Sequence, residues 1–398
     1  MKILKRVTAV LLTAVVAVSF TACGGRSEHA KKLNIDTAVS INIWYQDDAY
    51  TSYLDYIAQQ FHKANEFITV NPVKVEENNL LDAVYNGSIA QNNVADVYLM
   101  EASDMQRAYL MGLTAENDAY PQYSSQKHFP VTAVNAACYP VTFHTAVMVY
   151  NKKYATAPEN FEQIEAFLNS YQVTDENKDV NMIVGWDTQD LWTNYAFGGS
   201  YVDNGGAQGE DAESDVQTEA LKAAMTEYAA LQNTFGIVDK TQEEYKQMFM
   251  NNQLIYTILD STQLADLNAS GVDYGICAVP GAKTGFGTQS LSDTILAMVN
   301  PYSENTDTAK AVAQAISYDY ADLLEKDTGY ISARTDVADK NKKVLYQPLY
   351  EVYAKSDSYA KYIGADEFYV RYSILLHNIW KGEDLNESVD AFIKAVSR

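Results

Sequence analysis

The 398-residue chain is short of cysteine, histidine and positive charge: 3 Cys, 5 His, and 29 Lys and Arg against 52 Asp and Glu, a net charge of −23. So few basic residues exclude nucleic acid as a partner, because an acidic surface repels phosphate. Apart from Cys23, only Cys138 and Cys277 remain, each inside an apolar, strand-like run, where buried thiols are expected rather than a disulfide. The histidines (His29, His62, His128, His144, His377) are scattered, none at metal-ligand spacing from another His or Cys. No Gly-x-Ser-x-Gly elbow, P-loop or dinucleotide glycine fingerprint is present. The glycines of 281–287 are misplaced for cradling a phosphate and read as a turn. Asp175, Asn177, Asp179 and Asn181 imitate half of a calcium loop, but Val180 stands where that loop needs Gly and Trp186 where it needs Glu. These absences lead to an expectation of no cofactor, no metal and no catalytic residue.

Long apolar runs are also missing, except at the N-terminus. Lys2, Lys5 and Arg6 precede an uncharged stretch over 7–22, too short for a comfortable membrane span of about 20 residues. It has the shape of a secretory signal, expected over 1–22. Small residues before Cys23, in Phe20-Thr21-Ala22-Cys23, resemble the bacterial lipobox, with Phe20 where Leu is usual. That resemblance implies a lipidated Cys23, a polar tether over 23–37, and an extracytoplasmic protein held at the membrane by its lipid alone. Loss of the leader's three basic residues takes the net charge to −26.

Roughly 375 remaining residues exceed one core and predict two domains. Residues 39–45 alternate as a strand, and Tyr50, Tyr53, Leu54, Ile57 and Phe61 fall on one helical face. Strands are predicted over 68–75 (interrupted at Pro72), 95–100, 141–150, 274–280 and 294–301. Helices are predicted over 104–110, from Pro158 with Asn160 and Gln163 as a capping box, and over 217–232 with Gly236 as its stop. Two more are predicted over 312–325 and 389–396. Strands alternating with helices predict an α/β fold with a mainly parallel sheet.

What the chain has in quantity is aromatic surface, with 30 Tyr and 4 Trp. Flat rings stack on the C–H faces of a pyranose, while carboxylates and amides accept hydrogen bonds from its hydroxyls. Trp44-Tyr45 beside Asp47-Asp48 is one such pairing. Trp186-Asp187 followed by Asp190, Trp192 and Tyr195 is another. In an open α/β sheet such groups at strand ends form ligand sites. A carboxylate pair for glycoside hydrolysis is equally compatible with so acidic a chain, which keeps an extracellular carbohydrate-acting enzyme as the alternative, alongside a binder of a non-sugar solute.

From Val39 onward the chain resembles the extracellular solute-binding proteins of ABC importers, in the sugar-binding class that includes maltose-binding protein. The likeness is carried by Ile41-Asn42-Ile43-Trp44 with the helix ending in Phe61, by Ala95-Asp96-Val97-Tyr98, by Tyr139-Pro140 through Val149-Tyr150-Asn151-Lys152, and by Gly271 to Pro280. It implies a two-lobed, periplasmic-binding-protein type II-like fold with the ligand cleft between lobes joined by crossover strands. One lobe would comprise 38–143 and 281–330, the other 146–278 and 334–398, with crossings near 142–146, 279–281 and 330–334. The implied function is a monomeric, non-enzymatic carrier that takes a small solute, in this class a mono- or oligosaccharide, to the permease subunits. The implied cleft positions are Asp48, Glu101, Asp104, His144, Asp190, Trp192, Tyr195 and Tyr369. Trp44, Tyr45 and Trp186 join them on the stacking argument. Asp260 and Thr262 lie where the family has a turn with a stacking Trp. Thr262 in place of that Trp, and His144 at a commonly acidic position, loosen the link to malto-oligosaccharides.

Overall fold

The computed structural model describes residues 33–76, 79–92, 94–123, 128–130, 133, 135–204, 215–337, 343–362 and 364–396. The first strand, β1 (Val39–Tyr45), leads into α1 (Thr51–Ala64), β2 (Ile68–Lys74), α2 (Leu80–Ala90), β3 (Val97–Glu101) and α3 (Met105–Leu110). Strand side chains point alternately to opposite faces. Ile41, Ile43 and Tyr45 of β1, with Val97 and Leu99 of β3, therefore enter one core, and Trp44, Tyr98 and Met100 enter another. The first face is covered by Tyr53, Leu54, Ile57 and Phe61 of α1, the second by Leu80, Leu81 and Val84 of α2. Each such side chain contributes about 1.5–3 kcal/mol on burial. Pro72 fits inside β2 because that strand pairs with β1 alone and forms the sheet edge.

A single turn, α4 (Tyr120–Tyr123), precedes the long strand β4 (Tyr139–Asn151). Then come α5 (Phe161–Ser170), β5 (Met182–Val184), α6 (Leu191–Gly199), the two-residue partners β6 (Val202–Asp203) and β7 (Asp215–Val216), α7 (Thr218–Phe235) and α8 (Gln242–Met250). Strand β8 (Leu254–Asp260), α9 (Leu264–Ser270), β9 (Tyr274–Cys277) and β10 (Leu291–Val299) follow. The chain ends in α10 (Thr306–Gln314), α11 (Ala321–Thr328), α12 (Lys343–Lys355), β11 (Asp357–Ser358), α13 (Ala365–Lys381) and α14 (Leu385–Val396).

The strands run in the order β2-β1-β3-β10-β4-β8-β5, with β11 beside β10 and β9 beside β4. Through Thr145, β4 pairs with β10, and from Ala146 onward it pairs with β8 and β9. One strand thus belongs to two sheet regions. The expectation of a mainly parallel sheet needs correction. Only β1–β2, β1–β3, β5–β8 and the short β10–β11 pair are parallel, while β10 runs antiparallel to both β3 and β4, and β8 and β9 antiparallel to β4. Helical crossovers make neighbours parallel, but β10 returns to the first region after the chain has visited the second.

The helix predicted over 312–325 is likewise two helices, joined by a π-helical turn at Ala315–Asp319. Within this turn the Tyr318 carbonyl accepts a hydrogen bond from the Arg334 guanidinium at 2.7 Å. At α5, Asn160 accepts from the Gln163 amide at 3.0 Å, but the Gln163 side chain takes the Glu159 amide, so the predicted box is half formed. Helix α7 stops at Gly236, as predicted, with φ 58°. Cys138 and Cys277 are free thiols. Among the described residues no helix is long and apolar enough to cross a membrane.

Candidate functional site

Two cavities of about 420 and 600 Å³ lie along the sheet where β3, β4 and β10 meet the loops after β1 and β11. They share Glu101, Asp104, Arg107 and His144, and so form one cleft. In the first cavity, Tyr45, Tyr50 and Tyr330 supply ring faces. Tyr50 and Tyr330 pack at 5.7 Å between centroids, the Tyr50 hydroxyl bonds Thr142 at 2.5 Å, and Tyr330 donates to Asp47 at 2.7 Å. The second cavity is walled by Trp192 and Tyr359, stacked with centroids 5.8 Å apart and 25° between planes. Behind them Tyr369 stacks on Tyr359 at 3.8 Å. Tyr359 donates to Asp366 at 3.0 Å, and Arg107 is paired with Asp82 at 2.8 Å.

His144 stands between the cavities. Its Nδ1 meets Asp260 at 2.9 Å and its ring lies 4.4 Å from that of Trp192. Burial pulls the imidazole toward neutrality, but the Asp260 hydrogen bond and charge, helped by Asp293 and Glu101, outweigh it and raise its pKa to about 9. Asp260 is correspondingly lowered: burial opposes its charge, and the His144 bond and the two bonds from Thr262 overcome that. Asp293 is buried and pushed up to about 6, by desolvation first and then by Glu101, with His144 pulling the other way. Asp104 is raised for the same first reason. The cleft therefore joins ring faces, several carboxylate acceptors and one imidazolium donor.

Of the residues singled out from sequence, Tyr45, Glu101, Asp104, His144, Trp192 and Thr262 come together on the cavity walls. The others lie elsewhere. Trp44 and Tyr45 are consecutive in β1 and must face opposite ways, so Trp44 enters the smaller core while Tyr45 reaches the cleft. Trp186 is fully buried among Phe161, Phe197 and Trp380, its indole donating to Asn194 at 2.8 Å. In α6 every residue from Thr193 to Gly199 is buried, and only the first turn emerges. Trp192 therefore lines the cleft, whereas Tyr195 sits inside, donating to Asp357 at 2.8 Å. Tyr369 is also interior, bonded to Asn204 and the Ala360 amide. Asp190 caps α6 through the Thr193 amide at 2.9 Å. Asp260 stands behind His144, and Asp48 is exposed, paired with Lys74 at 2.8 Å. Cys23 lies outside the described residues.

Sequence reasoning missed Tyr50, Arg107, Asp293, Tyr330 and Tyr359 as wall residues. Asp293 carried a usable signal: a carboxylate between Ser292 and Thr294, in a strand whose remaining residues are apolar, where an unpaired charge is expensive. Tyr359 carried a weaker one, lying in the tyrosine-rich stretch 353–362.

Residues 56–350 match the family model for bacterial extracellular solute-binding protein, and the chain belongs to that family. No curated protein matches it by sequence. Among solved structures, an extracellular solute-binding protein of Staphylococcus aureus in complex with maltose superposes with a TM-score of 0.72 at 18% identity, covering 91% of this chain and 98% of that one. The maltose-binding periplasmic protein of Listeria monocytogenes, in complex with maltose, gives 0.73 at 17%, covering 90% and 96%. The maltose-maltodextrin binding protein of Alicyclobacillus acidocaldarius gives 0.68 at 17%, covering 90% and 100%. At these identities the likeness establishes the fold: two α/β lobes of the periplasmic-binding-protein type II kind, joined by crossover strands around a cleft. The family places the protein outside the cytoplasm as a binder of solute.

Proposed function

We propose that this chain is the substrate-binding component of an ABC transporter, capturing a mono- or oligosaccharide in the cleft and delivering it to the permease subunits. The observation that carries the reading is that Trp192 and Tyr359 line one cavity together with Glu101, Asp104 and Asp293, aromatic rings beside several acceptors. The maltose held by two of the similar structures supports the same ligand class. The ligand would touch Tyr45, Glu101, Asp104, His144, Trp192 and Thr262, joined by Tyr50, Arg107, Asp293, Tyr330 and Tyr359. The lobes would be 38–143 with 281–330 and 146–278 with 334–398, a division supported by the two sets of partners along β4. In this reading the protein acts as a monomer tethered by a lipidated Cys23, and Cys23→Ala would move it from the membrane fraction to the soluble one.

The test is calorimetric titration with maltose, maltotetraose and a panel of monosaccharides, followed by chromatography of the recovered sugar. Binding near micromolar, about −8 kcal/mol, is expected, with the sugar returned unchanged. Hydrolysed product would indicate a glycosidase, and no heat or thermal stabilisation from any saccharide would sink the carbohydrate reading.

A further inference from the structure

The two rings that meet at the centre of the cleft are tied together from behind by a residue that lines neither cavity. Gln242 is the first residue of α8, directly after the Thr241 cap. Its side-chain oxygen accepts the Asp260 amide at 3.1 Å, and its side-chain nitrogen donates to Asp190 at 3.0 Å. Its own amide donates to Asp187 at 3.2 Å. Asp260 holds His144, and Asp190 caps the helix turn that carries Trp192. His144 and Trp192 then close the circuit at 4.4 Å. One carboxamide thus bridges the end of β8 to the start of α6, and it presents a donor to one partner and an acceptor to the other.

We infer that Gln242 is a positioning residue for ligand recognition, setting the spacing of His144 and Trp192 without touching the ligand. The inference rests on reading the cleft as the ligand site. Its physical basis is that a ring on the first turn of a helix moves with that turn, and the turn is anchored here by Asp190. Gln242→Ala removes both side-chain bonds. Gln242→Glu keeps the shape and the acceptor but sets a carboxylate against Asp190. Gln247 lies on the exposed side of the same helix with its side chain bonded to Glu243, and Gln247→Ala serves as control.

The experiment uses the full chain labelled with 5-fluorotryptophan, whose 4 tryptophans give separable ¹⁹F signals; the Trp192 signal is assigned by its loss in Trp192→Phe. Both Gln242 variants are expected to shift or broaden the Trp192 signal and leave the other tryptophans in place, while Gln247→Ala moves none. With maltose as probe, Gln242→Ala is expected to weaken binding about two- to tenfold, because the two lost bonds act on the ligand only through His144 and Trp192. An unmoved Trp192 signal in both variants overturns the inference. So does collapse of all the tryptophan signals in both, which would make Gln242 a general support of the fold. If Trp192 moves as expected but the wild type binds no saccharide, the bridge stands and the carbohydrate reading falls.

Discussion

The contrast between two tryptophans six residues apart shows how far residue type underdetermines role. Trp186 has no exposed surface and packs among three aromatic rings, whereas Trp192 is half-buried on a cavity wall. Trp186→Ala should cost about 3–5 kcal/mol of stability through lost contacts and a residual cavity. Trp192→Ala should leave unliganded melting nearly unchanged and weaken saccharide binding roughly ten- to a hundredfold, a loss of about 1–3 kcal/mol. Melting and titration of both mutants separate the roles. His144 provides a second check. Its folded pKa of about 9 exceeds the unfolded value of about 6.5, so its ion pair contributes fully below pH 6.5 and is lost as pH rises through 9. Calorimetric melting should show the protein losing on the order of 2 kcal/mol between pH 7 and 10, and His144→Gln should flatten that decline. An equal decline in the mutant would remove His144 as its source.

At the scale of elements, α6 decides how the cleft is built, because its buried length holds the exposed first turn in place. Its last residue, Gly199, has no room for a side chain: a Cβ there would meet the Gln289 carbonyl just before β10, and backbone cannot step aside cheaply. Gly236, at the end of α7, has a left-handed φ of 58° but open space around it. Gly236→Ala should therefore cost only about 1 kcal/mol of backbone strain. Gly199→Ala should cost more, typically 1–3 kcal/mol for an overpacked site, and should also weaken saccharide binding by displacing α6. Equal melting temperatures for the two variants would refute this ranking.

At the scale of the whole molecule, β4 is the feature that matters, since its two halves pair with different strands. If the lobes hinge across 142–146, saturating saccharide should reduce the radius of gyration in small-angle scattering as the cleft closes. An unchanged radius with binding verified by calorimetry would mean that the ligand is held without closure. Closure would also expel water from around Asp293 and Glu101, strengthening their bonds to sugar hydroxyls.

The sequence by itself determined most of the elements and the class of protein. The period of apolar residues marks β1, α1 and α7, the long β4 is read as a strand over 141–150, and the segments quoted for the resemblance point to the solute-binding family that the match over 56–350 establishes. Local periodicity suffices for the helices because each buries one face whatever its partner. Tertiary structure alone decided strand direction, since β10 returns between β3 and β4 from a distant part of the chain. It alone also decided which aromatics face the cleft. Trp44 and Tyr45 are equivalent in composition and opposite in orientation, and Tyr195 is drawn inward by Asp357, 162 residues away. The cleft itself is an arrangement of side chains from β3, β4, β10, α6 and the segment after β11, and its charge balance depends on pairs such as His144–Asp260 that are 116 residues apart. Distance in space sets those interactions, and no spacing along the chain encodes it.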